Sequence, residues 1–190
     1  MSYFHFHGDD VQFDHKLESI RCEAIKPNGE QCRNRTVIGQ VFCSIHTKNK
    51  LKLQIKNSTI AMGGKGLFAY GRDRDIIFKP NKRICLYNGE LIDEDELIER
   101  YADYTAPYGI QLNKGMYEDA AIERGIGAMA NHSRSQRKIN AKLSVTRGNR
   151  AQLMSIKNIK GGQEIFVDYG SDYDFDEDVE TSTNRKKYTV

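Results

Sequence analysis

Short strand-like runs, broken by Gly, Asn or Pro before any can complete a long helix, set the limits on how this chain can fold. Leu51, Leu53 and Ile55 alternate with Lys52, Gln54 and Lys56, the period of a strand with one buried face. Residues 83–87, 108–112, 142–146, 152–156 and 164–167 are further short strand candidates separated by turn residues. One helix is predicted among them. Asp93 stands as its N-cap, Glu96 completes a capping box, and Leu97, Ile98 and Tyr101 share one face up to about Tyr104. The expected class is α+β and mostly β.

With 190 residues and 38% hydrophobic content, the chain can bury one substantial core and carry one small accessory module. A formal charge of +3 permits an acidic partner without demanding one. No uncharged apolar run approaches the roughly 20 residues that span a bilayer, and the start lacks the pattern of a signal peptide. The expectation is a soluble intracellular protein without a membrane partner, for which the Asn-x-Ser/Thr triplets at Asn34, Asn57 and Asn131 are not glycosylation sites. Residues 1–20 mix Tyr, Phe, His and Asp with no sustained period and are expected to be an arm, flexible or docked on the body. Residues 174–190 run from acidic to basic and are expected to be a solvated tail. Acids alternating from Asp172 to Asp178 do not make a calcium loop, because Glu177 stands where such a loop needs Gly and Thr183 where it needs Glu.

Three of the four cysteines fall within residues 21–48, where Cys22, Cys32, Cys43 and His46 follow the spacing Cys-x9-Cys-x10-Cys-x2-His. That is a complete ligand set for tetrahedral zinc. The gaps hold basic and turn residues with few apolar side chains, so a segment this small would need the metal to fold. It resembles the small Cys3His zinc modules that accompany diverse catalytic domains. Arg21, Lys26, Arg33, Arg35 and Lys48 make the module basic, which suits a weak contact with nucleic acid or an acidic protein surface. Cys85 lies in the strand-like run Ile84-Cys85-Leu86-Tyr87 with no His nearby in sequence, and is expected to be a core residue.

Four segments remain, in this order: Gly64-Lys65-Gly66-Leu67-Phe68-Ala69, Tyr87-Asn88-Gly89-Glu90, Asn131-His132-Ser133, and Glu164-Ile165-Phe166-Val167-Asp168-Tyr169-Gly170. Each is weak alone. Together, in this order and at this spacing, they resemble the SET-domain protein lysine methyltransferases over about residues 51–173. The resemblance implies small β-sheets around a pseudoknot-like centre, where Asn131 to Ser133 meets the run from Asp168 to Tyr173. It also implies S-adenosylmethionine as cofactor, held by Lys65, Gly66, Leu67, Asn131, His132 and Tyr169. Glycines let a backbone approach a ligand closely, and an Asn amide offers both a donor and an acceptor, so these residue types suit that task. Tyr169 is implied as the catalytic tyrosine and Tyr87 as its companion. Tyr87, Tyr117, Val167 and Tyr173 would line the substrate lysine channel, where tyrosine rings pack along an alkyl stem and their hydroxyls orient an amine.

The implied activity is methylation of a protein lysine, with a histone tail as substrate and the nucleus as location, or the host nucleus for a viral member. The rival reading is a catalytically silent SET-like and zinc interaction module that binds chromatin or another protein. The chain departs from many relatives in two ways. Asn131-His132-Ser133 continues as Arg134-Ser135-Gln136-Arg137-Lys138-Ile139 instead of with a cysteine, and no cysteine follows Cys85, so no zinc-bound cap closes the channel. The tail, with Tyr173 and Phe175, or a second subunit in a homodimer would have to do so. The region between Tyr87 and Asn131, about forty residues, is short and resembles that of small viral or protist-like members.

Overall fold

A computed structural model describes residues 2–8, 11–36, 40–61, 63–113 and 115–170. Tyr173, Phe175 and the tail lie outside the described residues. In chain order the strands and α-helices are β1 (Ser2–His7), β2 (Gln12–Leu17), the short helix α1 (Ser44–His46), β3 (Leu53–Asn57), β4 (Lys65–Ala69), β5 (Ile76–Phe78), β6 (Arg83–Leu86) and β7 (Glu90–Asp93). They continue with α2 (Glu94–Tyr101), β8 (Gly109–Asn113), β9 (Met116–Asp119), β10 (Asn131–His132), β11 (Ala141–Val145), β12 (Ala151–Ser155), β13 (Ile159–Lys160) and β14 (Phe166–Val167). The strands form sheets of two or three: β1-β2, β3-β4, β13-β5, β11-β12-β6, β7-β9-β8 and the parallel pair β10-β14. Mostly β with short helices, this is the α+β architecture that the broken strand runs predict.

The sheets other than β1-β2 close around a core that includes Leu53, Leu67, Ile84, Leu153, Ile159, Ile165 and Val167. Ala141 of β11 and Ala151 of β12 are also buried there. Cys85 sits in β6 opposite Leu153 of β12, and burial pushes its thiol up to about 12. A raised value keeps the neutral thiol at and above neutral pH. Alkylation of Cys85 at pH 8 is therefore expected to run at least about 10²-fold slower in the native chain than after unfolding in denaturant, as read by mass mapping. Equal rates would show that β6 is open to solvent.

Residues 2–17 form a hairpin. Its strands pair in register from Ser2↔Leu17 to His7↔Gln12, so Phe4 and Phe6 face inward while Tyr3, His5 and His7 face out. The inner face packs on α2 and the turn beyond it. Phe6 meets the Tyr101 ring edge-on at 5.0 Å, and Phe4 meets Tyr108 at 6.0 Å.

The helix differs from its expected form at both ends. Asp93 caps it as predicted, its carboxylate accepting from the Glu96 amide at 2.9 Å. The reciprocal half of the capping box is missing, because Glu96 pairs with Arg100 one turn on. The helix stops at Tyr101 rather than Tyr104, since Ala102 turns into the left-handed region at φ +49°. Ile98 points to solvent, and the buried face is completed by Arg100, which reaches Glu90 at 3.0 Å and the fully buried Asp119 at 2.9 Å. Asp119 also accepts from the Tyr101 hydroxyl at 2.8 Å. A paired, hydrogen-bonded charge can be buried where an unpaired one cannot, so an arginine takes the place that periodicity gives to an apolar side chain.

Candidate functional site

The centre of the fold is a strand held from two sides. The chain from Gln163 to Val167 lies beside β4 on one side, with the Ile165 amide donating to the Leu67 carbonyl at 2.7 Å. It pairs with β10 on the other, where Asn131 is opposite Phe166 and His132 opposite Val167. Asn140 fastens the crossing. Its side-chain amide donates to the Glu164 carbonyl at 2.8 Å and its oxygen accepts from the Phe166 amide at 3.0 Å, so the loop after Ser133 grips the backbone on both sides of Ile165.

On the β4 side, three of the residues implied as cofactor ligands, Asn131, Gly66 and Lys65 through its carbonyl, gather beside one carboxylate. Glu164 accepts from the Ser58 hydroxyl at 2.6 Å, the Thr59 amide at 2.7 Å and the Thr59 hydroxyl at 2.6 Å. Asn131 Nδ2 donates to the Lys65 carbonyl at 3.0 Å and lies 3.3 Å from both the Gly63 carbonyl and Glu164 Oε1. Gly66 fits between them only because it lacks a side chain: a Cβ there would stand 2.2 Å from Glu164 Oε1 and 3.1 Å from Asn131 Nδ2. Leu67 is buried, whereas the Lys65 ammonium turns outward to Asn57 at 2.7 Å. Gly66→Ala is expected to cost about 1–3 kcal/mol in a denaturant titration, because Glu164 is held by Ser58 and Thr59 and cannot swing aside. No change in stability would show that the carboxylate is free to move.

His132 links this cradle to Tyr169. The Tyr169 amide donates to His132 Nδ1 at 3.2 Å, and the two rings stand 5.5 Å apart, tilted by 48°. Asp168 Oδ1 lies 3.7 Å from the same nitrogen, too long for a hydrogen bond. The amide contact therefore decides the role of Nδ1, which accepts, leaving the ring proton on Nε2.

Tyr169 then turns into a second space. Its hydroxyl donates to the Ala130 carbonyl at 2.9 Å, and with Tyr87, Tyr108, Tyr117 and Val167 it lines a cavity of about 470 Å³. Tyr87 is buried at the end of β6 and donates to the Tyr108 carbonyl at 3.0 Å. Burial first, then the neighbouring Tyr169, Tyr108 and Asp119, hold its phenol well above the usual value, so it stays neutral. The turn at Tyr87 depends on contact with Gly125, where a Cβ would lie 1.9 Å from the Tyr87 carbonyl oxygen. Glu118, fully buried, pins the chain two residues on from Tyr87 by accepting from the Gly89 amide at 2.9 Å. The structure thus gathers Tyr87, Tyr117, Val167 and Tyr169 around one cavity, and Lys65, Gly66, Leu67, Asn131 and His132 around the adjoining cradle.

Tyr108 belongs to the same wall although no motif marked it. The guanidinium of buried Arg124 stacks over its ring at 3.9 Å while donating to the Ala120 and Ala121 carbonyls at 3.1 and 3.0 Å. An aromatic between Pro107 and Gly109 is the one local hint to Tyr108; Arg124 has none.

The SET domain sequence profile matches residues 64–170, more than half of the chain. The chain belongs to the SET-domain family. It is similar to an H3 lysine-36 specific histone-lysine N-methyltransferase of Yarrowia lipolytica, 34% identical over 161 residues, a match covering 82% of this chain and 18% of that protein. The histone-lysine N-methyltransferase MEDEA of Arabidopsis thaliana is 30% identical over 136 residues, covering 70% of this chain and 20% of that one. Among solved structures, the polycomb repressive complex 2 of Chaetomium thermophilum bound to S-adenosylmethionine in an autoinhibited conformation gives a TM-score of 0.53 at 26% identity, over 62% of this chain and 15% of that one. This chain spans a fifth or less of the length of each.

Ahead of the SET domain, Cys22, Cys32, Cys43 and His46 bring their ligand atoms within 4.8 Å of one another. His46 Nδ1 lies 3.2 Å from Cys43 Sγ and 3.5 Å from Cys22 Sγ. Burial holds the Cys22 thiol up. At Cys43 burial is outweighed by contacts with His46 and Asn34, which bring the thiol down to about 6. Three buried sulfurs and an imidazole nitrogen converging on one point form a group able to bind zinc. The module is tied to the SET core by Gln40, whose side chain donates to the Arg124 carbonyl at 2.6 Å.

Proposed function

We propose that this chain methylates the ε-amine of a protein lysine, with a histone tail as its substrate and the nucleus as its place of action. The observation that carries this reading is that one residue, Tyr169, joins two spaces: its amide is bonded to His132 beside the Asn131–Gly66 cradle, and its hydroxyl to Ala130 in the tyrosine-lined cavity. The names of the relatives agree with it.

S-adenosylmethionine supplies a methyl group on a positively charged sulfur, which a neutral amine takes up as the sulfur leaves as a thioether. The cradle has the features of a ligand site: a glycine with no room for a Cβ, beside an Asn whose side-chain nitrogen is fixed on the Lys65 carbonyl. Lys65, Gly66, Leu67, Asn131, His132 and Tyr169 would hold the cofactor there. In the cavity, Tyr87, Tyr117, Val167 and Tyr169 would enclose the lysine stem, joined by Tyr108. A lysine ammonium, with a pKa of about 10.4 in water, has no lone pair, so it must shed its proton before reacting. Aromatic walls disfavour its charged form by excluding water, and the Tyr169 hydroxyl, fixed on the Ala130 carbonyl, aims the amine that remains.

The test is transfer of a labelled methyl group from the cofactor to histones and to cell lysate by the wild-type chain beside Asn131→Ala. Label on a histone with the wild type, and its loss with Asn131→Ala, is the expected result. No label on any substrate, together with no thermal shift on adding cofactor, would sink the proposal.

A further inference from the structure

The outer face of the amino-terminal hairpin gathers three side chains that the methyl-transfer proposal does not use. His5 and His7 stand two apart on β1 and therefore share a face, and the pairing of β1 with β2 sets Asp14 directly opposite His5. The two rings converge on one oxygen. His5 Nδ1 is 2.6 Å and His7 Nε2 is 3.0 Å from Asp14 Oδ1, and the ligand atoms of all three lie within 4.8 Å of one another. Each side chain is about half exposed, with relative accessibilities of 53%, 54% and 51%, so an ion can reach them and the remaining coordination positions stay open to water. Lys16, the cation nearest along β2, is drawn off to Glu18 at 2.9 Å. Beneath them the inner face is anchored by Phe4 and Phe6 against Tyr108 and Tyr101, so the strand spacing that sets the three ligands does not depend on the ligands themselves.

We propose that His5, His7 and Asp14 form a second metal site, open to solvent and separate from the Cys3His group, that takes a borderline divalent ion such as Zn²⁺. Two imidazole nitrogens and one carboxylate oxygen are the donors that Zn²⁺, Ni²⁺ and Cu²⁺ accept and that Mg²⁺ and Ca²⁺ do not favour. Neutral imidazoles meet such an ion with lone pairs, and the carboxylate offsets part of its charge. The ion would clamp β1 to β2 at the middle of the hairpin, on the far side of the layer from Tyr108.

The test uses the full chain already carrying one zinc per molecule by elemental analysis. Titration with further Zn²⁺ is expected to show one more equivalent by calorimetry, and to shift the imidazole proton signals of His5 and His7 in NMR spectra while leaving those of His46 in place. His5→Ala and His7→Ala should each weaken the second equivalent by about tenfold or more, and Asp14→Asn should weaken it as well. All three positions are on the outer face, so unchanged circular dichroism serves as the control for folding. The proposal is overturned by the absence of a second equivalent up to about 1 mM free zinc, by binding that persists in the double variant His5→Ala/His7→Ala, or by shifts confined to other residues.

Discussion

Replacing Tyr169 by Phe is expected to slow methyl transfer by about 10²-fold or more while leaving the fold and cofactor affinity intact. The substitution removes one oxygen. It cuts the bond to the Ala130 carbonyl at 2.9 Å, yet leaves the ring beside His132 and the main-chain amide that donates to His132 Nδ1. What is lost is the fixed point at the mouth between cradle and cavity, and an amine misplaced by about an ångström loses rate far more than it loses binding. The prediction is checked by single-turnover transfer to a histone substrate, alongside the thermal shift given by cofactor. A rate within about threefold of wild type would show that the hydroxyl does not position the amine. A lost thermal shift would show instead that Tyr169 acts by holding the cradle together.

The parts of this site visible in the sequence are those that adjacent residues build. Asn131-His132 and the run from Glu164 to Gly170 are short and contiguous, and each brings its chemistry with it. The residues that were not visible owe their position to contacts distant along the chain. Asn140 grips residues 24 and 26 positions ahead, and Ser58 and Thr59 hold Glu164 from 106 and 105 positions back. Arg124 finds its partner only in the fold, which places Tyr108 under its guanidinium. The hairpin was hidden for another reason. Tyr3-Phe4-His5-Phe6-His7 does alternate between outside and inside, but aromatic and imidazole rings occupy both sides, so no contrast of polar against apolar marks the period. The capping box at Asp93 forms only by half because Glu96 has a better partner in Arg100, itself drawn inward by Asp119.

Those distant contacts also connect the zinc module to the cavity. Gln40 donates to the Arg124 carbonyl, Arg124 stacks on Tyr108, and the Tyr108 carbonyl receives the Tyr87 hydroxyl. Phe4 of the hairpin meets Tyr108 on another edge. Tyr108 is thus the point at which both amino-terminal elements bear on the tyrosine wall. Because the link runs through packed and hydrogen-bonded groups, its strength depends on the module being folded.

Stripping zinc from the chain is accordingly expected to lower the melting temperature by about 10 °C and to open residues 21–48 to protease. Four side chains hold this module together where a core of ordinary size does not. Its buried cluster is Cys22, Ala24, Cys32 and Cys43 with Phe42 beside it, three of the five being ligands themselves. Structural zinc supplies about 10–16 kcal/mol in isolated zinc-finger peptides, far more than so small an apolar cluster yields. Only part of that reaches the melting point of the whole chain, through the tether from Gln40 and the packing below it. A loss of about 3–4 kcal/mol corresponds to roughly 10 °C in a chain of this length. Thermal unfolding before and after chelation, with residual metal checked by elemental analysis, measures it, and Cys43→Ser should reproduce the effect without chelator. A melting point that moves by less than about 2 °C once zinc is gone would mean that the bonds already present, from Cys22 to Asn34 and from Cys32 to Ala24, hold the module unaided. If the fall is as large as expected, methyl transfer should decline with it, because the stack of Arg124 on Tyr108 loses its anchor at Gln40.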